Sequence, residues 1–244
     1  MIRRKAAEHN KKDGVIKWRS HEPSRLETFS DAVFAFAVTL IVVSLEVPRS
    51  FDELFETMKG FISFGACFTI LFMIWNSQNI FFRRYGLADT FTTVINAMLL
   101  FVVLIYVYPL KFLFNLLFSF SDQTYTDHGQ TFDMIHEYQQ PILMAIYAIG
   151  YLIIYLLFYL MYRHAVKNAE EIELTPRELF ETKTAMYINM LNAGIGLIAV
   201  IIAVSIPARY AGLSGFTFFL IPFTYSFWFG YRGKKAREIF QTSS

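Results

Sequence analysis

Between Asp31 and Glu46 the chain carries no charge, and the side-chain hydroxyls in that interval are Thr39 and Ser44. On a helix of about 3.6 residues per turn, Ala32, Phe36, Thr39, Val43 and Glu46 fall on one narrow stripe. The stripe sets an aromatic ring, a hydroxyl and a carboxylate at successive depths. Repeated around a symmetry axis, it would offer a hydrophobic constriction, a hydroxyl ring and an acidic outer ring. Rings of this kind concentrate cations, coordinate them and gate by dewetting. The same spacing suits a packed interior helix, with the small Ala and Val positions admitting neighbours closely. Thr39 would then bond its own backbone carbonyl one turn back. Spacing alone leaves both readings open.

A second cluster, Arg25, Phe29, Ser30 and Asp31, stands where the apolar run begins. Arg25 and Asp31 lie on different sides of a helix, so each needs a partner from another element. An ionisable residue at the edge of a membrane span marks a functional site by default. Trp75, Gln78 and Asn79 come near the end of the second apolar run, at the same membrane face. They can close an Asp-Ser-Trp-Gln network that fixes how the first two helices pack. Plain capping of the first helix by Ser30 and Asp31 is the alternative.

Other chemistry is thin. His136 and His164 fall in loops near opposite faces, which disfavours a shared metal site. Nucleophile-elbow, zincin and phosphate-loop patterns are absent. Cys67 is the single cysteine, so no internal disulfide forms. Acids, His and Lys are missing from mid-depth of the later spans, which argues against proton-coupled transport. Neither an Arg-rich voltage-sensor helix nor a TVGYG-type filter occurs.

These residues need helices in a bilayer to position them. The chain is 55% hydrophobic and only 17% charged over 244 residues, less charge than a soluble domain carries. Long continuous apolar runs exclude a β-barrel. Six spans are expected, near residues 28–47, 60–82, 88–110, 141–162, 184–206 and 213–231. FDELFETMKG is amphipathic enough to lie at the interface. Pro109 is expected to end or kink the third span, and Pro222 to interrupt the sixth. Residues 163–183 read as a polar loop, in which Thr175-Pro176 with Glu178 resembles a helix start. Gly194 and Gly196 read as packing positions. Residues 1–24 read as a mobile basic tail, 25–231 as the membrane domain and 232–244 as a second basic tail. Lys and Arg cluster in both tails, at Arg83-Arg84 and between Arg163 and Lys183, which places both termini in the cytoplasm.

Arg25-x-x-x-Phe29-Ser30-Asp31, followed by AVFAFAVTLIVVSLEVP, resembles the first helix of the lysosomal-type potassium channel family (transmembrane protein 175), in its prokaryotic branch. Trp75 with Gln78 and Phe82 looks like that family's W-x-x-H region, and Asn96 and Pro109 look like its helix 3 pattern. The resemblance implies an all-α protomer of six transmembrane helices without a separate pore domain. It implies a homotetramer whose central pore is lined by helix 1, narrowed by bulky apolar residues and given potassium preference by a threonine layer. Matched from the motif, Phe36 takes the constriction position and Thr39 the threonine. Phe36 stands where Ile or Leu is usual. Gln78 stands where His is usual, which removes a titratable group.

With the resemblance included, the expected function is passive potassium permeation across a bacterial inner membrane, with potassium as the permeant ion near Thr39. No enzyme activity, organic cofactor, nucleic acid or small-molecule substrate is expected. Glu46 would attract cations at the outer mouth. A carrier, or a non-conducting membrane scaffold, is the competing class.

Overall fold

The computed structural model describes residues 19, 22–43, 49–118, 124–127, 130–133 and 135–241. Six long helices carry the fold among these residues: α1 (Arg25–Val43), α2 (Phe51–Tyr85), α3 (Thr90–Phe118), α4 (Gln140–Lys167), α5 (Pro176–Ser205) and α6 (Leu220–Gln241). A short antiparallel hairpin, β1 (Thr124–Asp127) and β2 (Gln130–Asp133), follows α3, with Tyr125 opposite Phe132. Four of the helices, α2 from Gly60 and α3 to α5, are long and apolar enough to cross a membrane. The chain is a membrane protein.

Several boundaries differ from expectation, each for a local reason. The FDELFETMKG segment, expected to lie at the interface, forms the first turns of the continuous helix α2, which makes the helix longer than the expected span. Helix α3 runs through Pro109 to Phe118 instead of ending there. The apolar residues beyond Pro109 continue the helix, and its ring removes only one backbone donor. Lys111, inside α3, donates from Nζ to the Ile41 carbonyl at 3.2 Å. That carbonyl lies in the last turn of α1, where a cation is favoured.

The 163–183 stretch is mostly helix, because α4 continues to Lys167 and α5 begins at Pro176. His164 therefore lies on α4 and not in a loop. Its Nε2 sits 3.0 Å from Asp89 Oδ2. Burial alone would raise the Asp89 carboxyl. Bonds from the Thr92 hydroxyl, the Phe91 amide and the His164 ring more than offset it and hold the carboxyl below its ordinary value. Thr175 does start α5: its hydroxyl accepts from Glu178 N at 3.2 Å, while Glu178 Oε2 accepts from Thr175 N at 2.9 Å. The sixth span divides into a 3₁₀ stretch, Ala208–Phe219, and α6. Pro222 lies in the first turn of α6, where a missing N–H costs nothing. A Cβ on Gly196 would stand 3.0 Å from the Leu152 backbone, so this glycine permits the close packing of α5 on α4; Gly194 has open space instead.

Arg19 does not behave as a free tail residue. Its Nε donates to the Ile172 carbonyl at 2.7 Å, and its two terminal nitrogens donate to Glu178 Oε1 and Oε2 at 3.2 and 3.0 Å. It also reaches the Arg84 carbonyl, and its own N–H donates to the Arg83 carbonyl. Arg19, the α2–α3 turn and the α4–α5 turn therefore meet at one end of the bundle. At that turn Gly86 adopts φ +61°, a left-handed conformation that favours glycine. The last helix also passes residue 231 without a break, and Arg232 is docked on α5 through Thr184 and Phe180.

Candidate permeation helix and its polar support

Helix α1 starts with a capping box made by Ser24 and Glu27. Ser24 Oγ accepts from Glu27 N at 3.2 Å, and Glu27 Oε1 accepts from Ser24 N at 3.0 Å. Ser-Arg-Leu-Glu is the S-x-x-E signal for this arrangement. Capping therefore does not occupy Ser30 and Asp31, which sit in the second turn and make tertiary contacts.

Those contacts form two separate units where one network was expected. Asp31 Oδ1, at the exposed edge of α1, accepts from Trp75 Nε1 at 2.7 Å. Ser30, fully buried, accepts from Asn96 Nδ2 at 2.9 Å and donates to the Leu26 carbonyl at 2.8 Å. Asn96 Oδ1 in turn accepts from Gln78 Nε2. The buried chain thus runs α1–α3–α2 through Ser30, Asn96 and Gln78. Each side chain is satisfied in a region that excludes water, which rigidifies the packing. Asn96 is its centre, a role the sequence reading did not give it. Phe29 is exposed in the protomer, and Arg25 is exposed and joins neither unit among the described residues.

Cutting the buried chain at its centre tests it. Asn96→Ala leaves the Gln78 amide and the Ser30 oxygen facing an apolar interior. It is expected to lower stability by about 2 kcal/mol, read as an earlier thermal unfolding midpoint of the purified protein. An unchanged midpoint would remove the bracing role.

The two faces of α1 differ sharply. Ser30, Phe34, Ala37 and Ile41 are buried against the bundle. On the other side Thr28, Ala32, Ala35, Phe36, Thr39 and Val42 are exposed in the protomer. The predicted stripe is therefore not turned into the protomer core. Thr39 Oγ1 does donate to the Ala35 carbonyl one turn back, at 2.9 Å. This bond occupies its hydrogen and leaves the oxygen lone pairs outward. The Val43 side chain and the whole of Glu46 lie outside the described residues. No group of three or more potential metal-ligating side chains occurs among the described residues.

Residues 25–109, which span α1, α2 and most of α3, match the family described as endosomal/lysosomal potassium channel TMEM175. The chain is also 38% identical over 212 residues to a protein named "Potassium channel" from Marivirga tractuosa, covering 84% of this chain and 85% of that one. The chain belongs to the TMEM175 family. A crystal structure of a variant of the potassium channel MtTMEM175, bound to a nanobody–MBP fusion protein, superposes with a TM-score of 0.76. It is 36% identical and spans 90% of this chain and 97% of the other. A homologue of the lysosomal potassium-selective channel TMEM175, from Chamaesiphon minutus, is 20% identical, with a TM-score of 0.53. It spans 87% of this chain and 96% of its own and shares the fold. The TMEM175 match covers every residue of both polar units, from Ser30 and Asp31 through Trp75 and Gln78 to Asn96.

Proposed function

We propose that this chain assembles as a homotetramer and forms a passive, potassium-preferring cation channel in a bacterial inner membrane, with both termini cytoplasmic. Helix α1 of each protomer lines the central pore. The observation that carries this reading is the outward face of α1, where Ala32, Phe36 and Thr39 lie exposed beside a fully packed opposite face. The relatives named as potassium channels support the choice of ion.

In this assembly Phe36 forms a ring of four aromatic side chains, about 4.5 Å along the axis from Thr39 at roughly 1.5 Å rise per residue. The Thr39 hydroxyls form the polar ring. Each has spent its proton on the Ala35 carbonyl, so its oxygen is held ready as an acceptor for a partly dehydrated cation. Val43 continues the stripe, and Glu46 raises the local cation concentration at the outer mouth. The Asp31–Trp75 bond and the Ser30–Asn96–Gln78 chain hold α1 in register against α2 and α3. Arg25 and Phe29 complete the motif at the cytoplasmic end.

Flux from potassium-loaded liposomes containing the purified protein, repeated with sodium inside, tests the proposal. Potassium efflux is expected to exceed sodium efflux, and to vary linearly with the gradient where a carrier would saturate. Thr39→Val keeps the shape and removes the oxygen. It is expected to cut the potassium/sodium ratio on the order of threefold. An unchanged ratio would remove the coordination role. A correctly assembled protein that passes neither ion, even with the constriction opened, would favour the scaffold.

A further inference from the structure

A cavity of about 720 Å³ lies away from α1, between α2, α3, α4, α5 and α6. Its size is that of a small-molecule or cofactor site. The inner part is apolar and aromatic, walled by Ile70, Ile74, Ile154, Ile188, Tyr151 and Tyr225. Its other end is strongly basic. Arg84, Arg177 and Arg232 line it with a single carboxylate, Glu181.

That carboxylate is already engaged. Arg84 Nη2 meets Glu181 Oε2 at 2.7 Å, and Arg177 Nε lies 3.8 Å from Oε1. Arg232 is fixed by Thr184 Oγ1 at 2.8 Å and lies 3.7 Å over the Phe180 ring. One carboxylate among three guanidiniums leaves excess positive charge at this end.

We propose that the cavity holds an anionic membrane phospholipid, its phosphate headgroup between Arg84, Arg177 and Arg232 and one acyl chain along the aromatic channel. Both halves of the site are needed for this occupant. Arg84 and Ile70 on α2 are roughly 21 Å apart along the helix, so a bound molecule must be long, apolar at one end and anionic at the other. Basic pockets between transmembrane helices bind acidic lipid headgroups on the same physical grounds. An apolar helix from a second copy of the chain would cover the aromatic part but leave the guanidinium excess unmatched.

Native mass spectrometry of the full-length assembly, titrated with phosphatidylglycerol or with phosphatidylcholine of the same chains, tests the site without measuring flux. Its outcome is therefore independent of the conduction reading. The wild type is expected to retain phosphatidylglycerol on the order of tenfold more strongly than phosphatidylcholine. Arg177 is half exposed, so Arg177→Gln leaves the fold intact. It is expected to weaken phosphatidylglycerol about fivefold while sparing phosphatidylcholine. Ser77 lines the cavity and is exposed in the protomer; Ser77→Trp fills the channel and is expected to abolish retention of both lipids. Equal retention of the two lipids by the wild type, or full retention by Ser77→Trp, overturns the proposal. Displacement of phosphatidylglycerol by millimolar inorganic phosphate would show that only the headgroup binds, and would overturn it as well.

Discussion

Arg19→Ala is expected to destabilise the protein by about 3 kcal/mol, seen as a fall of roughly 6–12 °C in the unfolding midpoint at fixed heating rate. The magnitude follows from burial. Glu178 is 2% exposed, and its Arg19 partner 13%. Removing the guanidinium takes two charge-assisted hydrogen bonds from a carboxylate held in low dielectric. It also takes the Arg19 donor from the Ile172 and Arg84 carbonyls, so three segments at one end of the bundle lose their common clasp. Arg19→Lys should recover only part of the loss. An ammonium restores the charge but not the planar fork that spans both carboxylate oxygens and the backbone carbonyls. The double variant Arg19→Ala with Glu178→Gln should be more stable than Arg19→Ala alone, because the buried carboxylate that lost its guanidinium is now neutral. An Arg19→Ala midpoint equal to wild type would make the clasp irrelevant to stability.

Arg19 also marks where a sequence stops being readable. A basic residue in a polar segment ahead of the first span has the composition of a solvated topology signal. Nothing local distinguishes it from Lys17 or Arg25. Its partners on α5 and the turn before it lie more than 150 positions away, and the Arg84 carbonyl lies 65 away. Long helices were legible for the opposite reason. Apolar runs between charged turns report on each segment alone, and six helices follow from them. Their ends were less legible because helices in this chain continue past the apolar run: α2 begins in polar FDELFETMKG, and α6 extends through Arg232.

The support of α1 was half legible. Residue type told that Ser30, Asp31, Trp75 and Gln78 need partners in a dry environment. It did not tell which pairs form. Asp31 stays at the exposed edge and takes the indole, which can only donate. The neutral hydroxyl and amides tolerate full burial and pair among themselves through Asn96. The charge goes to the edge and the neutral groups go inside, as their desolvation costs require. The helix start at Ser24 and Glu27 was readable from S-x-x-E alone. The outward turn of the Thr39 face could not be read from spacing, because a packed stripe and a pore stripe have the same period.

Phe36→Ala is expected to raise potassium efflux from liposomes on the order of tenfold. In the protomer Phe36 is 56% exposed, so the ring is not part of the bundle's own packing. Its removal should therefore leave the fold and the midpoint nearly unchanged, unlike Asn96→Ala. Four phenyl rings facing one axis would exclude water from the space between them, and an ion crossing that space must shed hydration without compensating oxygen ligands. Alanine widens the constriction and lets water columns from both sides meet, which lowers the barrier where it is highest. Selectivity should respond differently. If the Thr39 oxygens set the preference, Phe36→Ala increases potassium and sodium flux together and changes their ratio little. Thr39→Val changes the ratio at modest cost to the rate. If Phe36→Ala instead left efflux at the wild-type rate, with the assembly intact, the barrier would lie elsewhere, and the outward face of α1 would have to be reassigned to contacts between subunits or with lipid.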